Sequence, residues 1–209
     1  MSHTIFVYGT LMAPPILHRV LWGPTHTTTQ HPPAHASPIT FRPALLPAHQ
    51  RHRVKYADYP ALIPCPATTS SVRGTLVHGL TDGDIWRLDV FEGNEYRRER
   101  VVVQVLRAGD NGNGNGEGFV EAGSASEEEI ETQAYLWTAG THRLEAQEWD
   151  FDAFVRDKMA RWVGGSREAD DGIQDVDDAV AALRDDLTGG RGVNEGEKDK
   201  EGKVLESAV

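Results

Sequence analysis

The sequence predicts a mixed α+β domain in which a small β-sheet is flanked by helices. Runs of β-branched and aromatic residues typical of strands recur between turns, most clearly at 71–80 and 96–106. Segments with helical spacing and capping residues lie at 14–23 and 81–91. Residues 144–163 also place apolar side chains along one helical side. A chain of 209 residues has room for one domain of ordinary size and a tail.

The first predicted strand ends in a sharp turn. Residues 4–7 are β-branched or aromatic, and Tyr8-Gly9-Thr10-Leu11-Met12 follows them. Gly9 permits the turn and lets another molecule approach the backbone closely. Successive N–H groups after such a turn can converge on an anion or a polarised carbonyl. Taken alone, the same pattern also fits a first strand that ends in an ordinary glycine turn.

The next elements follow from the positions of proline and glycine. Residues 14–23 predict a short helix, because two prolines suit its first turn and Gly23 suits its end. Residues 39–46 and 59–64 are strand candidates whose prolines restrict them to strand ends or sheet edges. Residues 71–80 alternate and are β-branched, so they predict a clearer strand.

A short capped helix is predicted to lead up to Glu92. Thr81 or Asp82 can cap its first turn, and apolar residues then recur at helical spacing. Glu92 therefore lies at the end of the helix. Residues 96–106 predict a long strand, and 132–138 predict another that can pair with it.

Residues 144–163 predict one amphipathic helix that closes over the sheet. A helix lying in a membrane interface is the alternative, but acidic residues between the apolar positions disfavour it. The predicted apolar side consists of Leu144, Trp149, Phe151, Phe154, Val155, Met159 and Trp162.

The packed domain is predicted to span 1–165, with a flexible loop inside it and a tail after it. Residues 108–129 combine a glycine series with a Ser/Glu run and predict a flexible loop. A nucleotide-binding loop is excluded because no helix or apolar anchor follows these glycines. Residues 166–209 are rich in Asp, Glu, Gly and Lys and predict an acidic, largely disordered tail, with a weak helical patch at 176–187.

Composition limits the partners and the compartment. The formal net charge of −11 opposes binding to nucleic acid or to an anionic membrane. The single Cys65 cannot form an internal disulfide, and no run approaches the roughly 18 apolar residues of a membrane span. We therefore expect a cytoplasmic protein. The histidines at 18–35, with His49 and His52, lack the cysteine pairs or helical motif of a zinc site, so no metal is expected.

Motifs in a fixed order along residues 4–162 indicate a family. They are Tyr8-Gly9-Thr10-Leu11, Tyr59-Pro60-Ala61-Leu62, the strand from Val72-Arg73-Gly74, and Leu88-Asp89-Val90-Phe91-Glu92-Gly93 followed by Tyr96-Arg97-Arg98. Together they resemble the gamma-glutamylcyclotransferase-like family, in the branch with the plant avirulence-induced proteins and the gamma-glutamylamine cyclotransferases. The resemblance implies that family's fold, a small twisted mixed β-sheet or barrel with flanking helices.

The resemblance also implies a reaction and a catalytic residue. In this family the α-amine of a gamma-glutamyl substrate attacks the side-chain carbonyl of the same molecule, which gives 5-oxoproline and expels an amine. Glu92 matches the catalytic glutamate that would move the proton, a role favoured when a carboxylate is partly desolvated. Asp89 and Glu95 are rival carboxylates, but their positions fit a solvated helix face and a turn. The reaction joins two groups of one molecule, so no cofactor is implied.

Substrate-binding residues are expected around the first turn. By resemblance, backbone groups of Tyr8, Gly9, Thr10 and Leu11 hold the glutamyl moiety. Met12 borders this turn and is a further candidate for substrate contact. Tyr96 either reaches the same cavity through its hydroxyl or packs on its strand with the hydroxyl satisfied.

Two other functions remain open from the sequence. A gamma-glutamyl acyltransferase or deacylase of a biosynthetic pathway would keep Glu92 and differ in its acceptor pocket. A non-catalytic protein of the same fold would bind the ligand without turnover, with its acidic tail as an interaction segment. The intact Glu92 favours an enzyme.

Overall fold

The computed structural model describes residues 2–24, 38–67, 70–106, 125–163 and 171–189. Strands and helices are interleaved along these ranges, and short 3-10 turns lie at Thr10–Met12, Gly93–Glu95 and Thr141–Arg143. The elements are β1 (His3–Val7), α1 (Pro14–Trp22), β2 (Thr40–Pro47), β3 (His49–Val54), β4 (Pro60–Pro64), β5 (Ser71–Leu80), α2 (Asp82–Glu92), β6 (Tyr96–Leu106), β7 (Ala125–Trp137), β8 (Leu144–Glu148), α3 (Phe151–Asp157), α4 (Met159–Val163) and α5 (Asp171–Gly189).

The central feature is a closed β-barrel with the strand order β1-β5-β2-β6-β7. Strands β1 and β7 close it in parallel, with Ile5 opposite Gln133, and the other neighbours pair antiparallel. A separate sheet has the order β4-β3-β8. The predicted α+β class, with a barrel-like sheet and flanking helices, is therefore confirmed.

Alternation along the barrel strands separates two hydrophobic cores. On β1, Phe6 belongs to the cluster that fills the barrel, whereas Ile5 and Val7 belong to the cluster between barrel and helices. Two clusters form because side chains on a strand point alternately to its two faces. The barrel cluster comprises Phe6, Tyr8, Ala44, Leu46, Leu62, Val72, Leu76, Val101, Val103, Val105, Ala134 and Leu136.

Most predicted elements are found within a residue or two of their expected limits. The strand at 71–80 and the strand at 96–106 have the predicted bounds, and β7 pairs with β6 as expected. Helix α1 carries proline at its start and ends before Gly23, whose φ is 86°. Prolines and glycines at helix ends and turns therefore predict the limits of these elements well.

The single helix predicted for 144–163 is wrong. Residues 144–148 form β8, which pairs with β3 through His52 opposite Glu148 and Val54 opposite Leu144. Asp150 is extended and its side chain accepts a hydrogen bond from Ala153 N at 3.0 Å, so a new helix begins at 151. The expected aromatic packing is present, since Phe154 lies 5.4 Å from Trp149 and 5.5 Å from Trp162 between ring centroids.

Strand β3 is not anticipated by the sequence, because His49–Val54 is mostly polar and lacks apolar alternation. Pairing with both β4 and β8 holds it extended. Two histidines on it bond locally: His49 Nδ1 lies 2.8 Å from the Pro47 carbonyl oxygen and His52 Nδ1 lies 3.0 Å from that of Glu145. Across the described ranges, no three His, Cys, Asp or Glu side chains cluster as metal ligands; positions 26, 31 and 35 lie outside those ranges.

Part of the predicted acidic tail is a helix packed on the domain. Helix α5 buries Ile173 and Val176 in the cluster between barrel and helices. Arg19 of α1, with a side chain only 6% exposed, makes a bidentate ion pair with Asp177 at 2.9 and 2.5 Å. The rest of the predicted tail, 166–170 and 190–209, lies outside the described residues.

Part of the predicted glycine-rich loop is a strand. Residues 125–129 belong to β7, where Gln104 lies opposite Glu129 and Leu106 opposite Ala125. This pairing extends the hairpin of β6 and β7 beyond the 132–138 segment that the sequence predicts. Residues 107–124 lie outside the described residues.

Candidate active site

A cavity of about 310 Å³ lies where the end of β1, the end of α2 and the start of β6 meet. Such a volume is at the small end of the roughly 300–1,000 Å³ typical of small-molecule sites. The residues around it come from β1 and the turn after it, β4 and the residue before it, α2, the turn at 93–95, β6, β7, α4 and α5. They are Phe6, Val7, Tyr8, Gly9, Thr10, Leu11, Tyr59, Pro60, Phe91, Glu92, Gly93, Asn94, Glu95, Tyr96, Tyr135, Trp162, Gly172 and Asp175.

Glu92 is the last residue of α2 and lines this cavity. The helix starts in a capping box, in which Asp84 N donates to Thr81 Oγ1 at 3.2 Å and Thr81 N donates to the Asp84 carboxylate at 2.8 Å. It ends at Gly93, whose φ of 62° favours glycine. These two ends fix the position of Glu92, whose side chain is half-buried.

The predicted turn also lines the cavity. After β1 the chain makes a 3-10 turn, in which Met12 N donates to the Gly9 carbonyl oxygen at 2.9 Å. Pro60 packs on Gly9 so closely that a Cβ at residue 9 would lie 2.8 Å from Pro60 Cγ. Tyr96 fixes that proline by donating its hydroxyl hydrogen to the Pro60 carbonyl oxygen at 2.8 Å. Pro60 therefore contacts both Gly9 and Tyr96, and these residues come from three of the family-like motifs.

Three tyrosine hydroxyls surround Glu92, and all remain neutral at physiological pH. Burial first, then the charge of Glu92, raises the pKa of Tyr8 well above its usual value. Burial, Tyr8 and Glu92 do the same to the pKa of Tyr96. Burial and the hydrogen bond to Asp89 raise the pKa of Tyr135, with a smaller contribution from Glu92. These hydroxyls cannot act as bases beside Glu92.

Each of these hydroxyls already donates a hydrogen bond within the protein. Tyr8 donates to the Tyr135 carbonyl oxygen at 2.6 Å, and Tyr135 donates to Asp89 Oδ1 at 2.7 Å. The Tyr96 hydroxyl is satisfied by Pro60, yet Tyr96 also borders the cavity. A contact between Tyr96 and substrate stays a prediction.

The two rival carboxylates are held in ion pairs. Asp89 accepts hydrogen bonds from Arg98 Nε at 2.9 Å and Nη2 at 3.0 Å, besides the one from Tyr135. Glu95 lines the cavity, but it pairs with Arg143 and accepts a hydrogen bond from the Tyr59 hydroxyl at 3.2 Å. Both carboxylates are therefore already engaged in contacts with side chains of the protein.

Most of the residues predicted for the site come together around the cavity. Tyr8, Gly9, Thr10, Leu11, Glu92 and Tyr96 all line it. Met12 does not: it is partly buried and packs against the core between barrel and helices, because the 3-10 turn carries it past the cavity. Its predicted contact with substrate stays a prediction without support from this geometry.

Other lining residues were not anticipated from the sequence. Tyr135 lies on a strand that was recognised only as a pairing partner of β6. Trp162 was expected in a core, and Gly172 and Asp175 were expected in a disordered tail. An Asp-rich segment that also carries spaced apolar residues, as at 173, 176 and 180, is the only signal that indicated helix α5.

The described part of the cavity wall carries acidic and no basic side chains. Its charged residues are Glu92, Glu95 and Asp175. Glu95 is paired with Arg143, and all the charged side chains among the described lining residues are acidic, so the wall has an acidic character. Such a wall favours ligand parts that are neutral or cationic over carboxylates.

A comparison with known protein families agrees with these motifs. A family model described as gamma-glutamyl cyclotransferase, AIG2-like, matches residues 5–151. The chain belongs to this AIG2-like gamma-glutamyl cyclotransferase family. The match covers both the turn after β1 and Glu92, whereas α5 lies beyond it. None of the helices within the described ranges has the length and apolar character needed to cross a bilayer.

Two proteins of Arabidopsis thaliana are similar to the chain in sequence. AIG2-like protein B of Arabidopsis thaliana is 31% identical over 161 residues, which are 77% of this chain and 74% of that protein. AIG2-like protein D of the same plant is 30% identical over 166 residues, or 79% and 88% of the two chains.

Solved structures show lower similarity. A solution structure of an Arabidopsis thaliana protein is 25% identical, covers 78% of this chain and 87% of its own, and has a TM-score of 0.47. A crystal structure of an AIG2-like protein from Mus musculus is 21% identical, covers 71% and 88%, and has a TM-score of 0.45. At these TM-scores the structural likeness carries no argument about function.

Proposed function

We propose that this protein is a gamma-glutamyl cyclotransferase that converts a gamma-glutamyl compound to 5-oxoproline and a free amine. The observation that carries the proposal is the shared cavity, because Glu92 and the turn Tyr8 to Leu11 line one small space. A carboxylate and a set of backbone N–H groups are the two parts that the cyclisation needs. The family assignment supports the same reaction class.

Glu92 is proposed to move the proton. The substrate's α-amine is mostly protonated near pH 7, so a base must take a proton before the amine can attack. The attacking nitrogen then forms a bond to the side-chain carbonyl carbon, and the bond from that carbon to the leaving nitrogen breaks. Glu92 gives that proton to the departing amine and takes the second proton from the ring nitrogen, which becomes the neutral amide of 5-oxoproline. It then passes this second proton to the released amine, which leaves as an ammonium ion, so no water or cofactor is consumed. Asp89 and Glu95 are poor substitutes because both are paired with arginine.

The turn is proposed to bind the glutamyl part and to stabilise the transition state. The carbonyl oxygen gains negative charge when the amine attacks, and a backbone N–H aimed at it would lower the barrier by about 3 kcal/mol. Holding amine and carbonyl in attack geometry contributes further, since both reacting groups belong to one molecule. The close packing of Pro60 on Gly9 keeps this backbone in place.

Replacing Gly9 by alanine is expected to lower kcat about tenfold. The added Cβ would lie 2.8 Å from Pro60 Cγ and 3.0 Å from Pro60 Cδ, and the proline cannot retreat freely because Tyr96 holds its carbonyl. The turn must therefore shift, and small displacements of reacting groups reduce rates strongly. Steady-state kinetics of 5-oxoproline formation measure the effect.

Two further variants test this reason for the loss. Gly83→Ala is the matched control, because its Cβ would meet nothing nearer than Thr81 Oγ1 at 3.7 Å, so activity should be unchanged. Pro60→Ala combined with Gly9→Ala should recover part of the lost activity, as expected for coupled neighbours. A single Gly9→Ala variant with full activity would show that the packed turn is not required.

The choice of donor tests the proposed function directly. Purified protein is incubated with gamma-glutamyl-alanine, gamma-glutamyl-lysine or glutathione, and 5-oxoproline is measured. We expect gamma-glutamyl-lysine to have several-fold higher kcat/KM than gamma-glutamyl-alanine, because its extra ammonium group suits a wall that bears Glu92 and Asp175. Glutathione, whose departing dipeptide carries a carboxylate and no extra ammonium group, should also react more slowly.

The outcomes separate the candidate functions. Formation of 5-oxoproline supports the cyclotransferase. Release of glutamate without 5-oxoproline would indicate a deacylase, and transfer of the glutamyl group to an added amine would indicate an acyltransferase. Measurable binding of all three donors with no product would favour a non-catalytic protein.

A further inference from the structure

Arg51 is a buried arginine that lies next to the turn but outside the cavity. It belongs to β3, and its side chain is only 11% exposed. Its Nη1 donates to the Tyr8 carbonyl oxygen at 2.8 Å, and its Nη2 donates to Glu148 Oε1 at 3.1 Å. The guanidinium carbon lies 5.5 Å from the centroid of the Trp149 ring. The described residues that line the cavity do not include Arg51.

Keeping this cation buried is unfavourable by itself. Burial lowers the pKa of the Arg51 guanidinium, and the charge of Glu148 opposes that effect. Its Nε is buried and has no hydrogen-bond partner among the described residues, which is a further cost for a strong donor. Packing alone therefore does not explain an arginine at this position, whereas the hydrogen bond to Tyr8 suggests a role for it.

The geometry of one peptide group connects Arg51 to the cavity. The peptide between Tyr8 and Gly9 is trans and planar, so the Tyr8 carbonyl and the Gly9 N–H point in opposite directions. The carbonyl points to Arg51, which is not among the described residues that line the cavity. The Gly9 N–H points away from Arg51, and Gly9 itself lines the cavity.

The charge of Arg51 also affects the strength of that N–H as a donor. A cation that bonds to a carbonyl oxygen draws electron density through the peptide group, and hydrogen bonds in such a chain strengthen one another. The N–H at the other end of the same peptide becomes a better donor. Strong, fixed donors are what a carbonyl oxygen needs as its negative charge develops.

We propose that Arg51 is a positioning residue, which holds and polarises the Tyr8–Gly9 peptide so that the Gly9 N–H stabilises the developing oxyanion. The proposal rests on the cyclotransferase function proposed above. Arg51 neither touches the substrate nor transfers a proton in this role. It acts on the transition state through the backbone, so it affects kcat more than KM.

The test compares Arg51→Met and Arg51→Lys with the unchanged protein, with gamma-glutamyl-alanine, gamma-glutamyl-lysine and glutathione as donors. Arg51→Met is expected to lower kcat about 10- to 30-fold with KM changed less than twofold. Arg51→Lys should recover part of kcat, because an ammonium group keeps the charge and a donor. Arg53→Met is the matched control: it lies on the same strand, is 45% exposed and only approaches Glu145 at 3.7 Å.

Glu148→Gln separates positioning from stability. It removes the ionic partner of Arg51 but leaves the bond to Tyr8, so the thermal midpoint should fall while kcat stays within twofold of the unchanged protein. If kcat falls in parallel with stability across Glu148→Gln, Arg51→Lys and Arg51→Met, then Arg51 has a structural role only and the proposal is wrong.

A spectroscopic measurement does not depend on turnover. The backbone ¹⁵N–H resonance of Gly9 should move upfield in Arg51→Met and less so in Arg51→Lys, because the polarising cation is lost or displaced. An unmoved Gly9 resonance, or an unchanged kcat in both folded variants, would overturn the role of Arg51 while leaving the cyclotransferase intact. Absence of 5-oxoproline from the unchanged protein would instead remove the proposed function, and the role of Arg51 with it.

Discussion

Glu92→Gln is expected to lower kcat for 5-oxoproline formation about 100-fold or more, the usual scale for a positioned proton-transfer group. The amide keeps the size of the side chain but cannot accept the proton of the attacking amine. Glu92 lies at the end of a helix whose start and end are fixed by their own cap residues, so the variant should fold normally. The kinetics of the two proteins, together with their thermal unfolding, measure both effects.

Glu131→Gln is the matched control for this variant. It is the same chemical change on β7, where Glu131 is 67% exposed and lies 3.5 Å from Arg100. Surface pairs of this kind contribute little, so neither activity nor stability should change measurably. Equal rates for Glu92→Gln and the unchanged protein would exclude Glu92 as the base and require a different mechanism.

Gly74→Ala is expected to reduce the free energy of unfolding by about 3 kcal/mol or to prevent folding. A Cβ at residue 74 would lie 2.3 Å from the Val7 carbonyl oxygen and 2.5 Å from Phe6 Cζ. Both neighbours belong to β1, and Phe6 is fully buried inside the barrel. Neither can move without separating β1 from β5, so the substitution must strain the barrel. Urea unfolding at equilibrium measures the change.

The same experiment includes Gly83→Ala, which should raise stability slightly, since alanine is favoured over glycine in a helix by about 0.8–1 kcal/mol. Its position lies in α2 and has open space around it. A Gly74→Ala protein with an unchanged unfolding midpoint would show that the barrel can expand at this crossing.

The sequence predicts those helices and strands whose formation depends on residues close to them in the chain. Proline at the start of α1, the Thr81 cap of α2 and the apolar alternation of β5 each act within a few residues, and these elements have nearly the expected limits. Strand β3 depends on its two neighbours in space, which no local pattern encodes. Residues 144–163 show the opposite error, because apolar spacing alone does not reveal that Asp150 begins a new helix.

The candidate site was predictable to the extent that it follows from short motifs. Glu92 and the turn from Tyr8 to Leu11 come from such motifs, and they line one cavity. The long-range contacts of the site were not predictable. Arg51 reaches Tyr8 across 43 positions of sequence and Tyr135 reaches Asp89 across 46, so only the folded chain shows that these residues support the wall.

Helix α5 limits how far the chain can be truncated from its C-terminal end. A shortened chain that stops at residue 151, the limit of the family match, or at 165 would leave the Arg19 guanidinium in an apolar surrounding without its carboxylate partner. It would also uncover the surface on which Ile173 and Val176 rest and open the cavity on the side of Asp175. Asp177 is 34% exposed, so loss of its carboxylate costs less than the roughly 3–5 kcal/mol of a fully buried ion pair. An expression clone should therefore extend at least to Gly189.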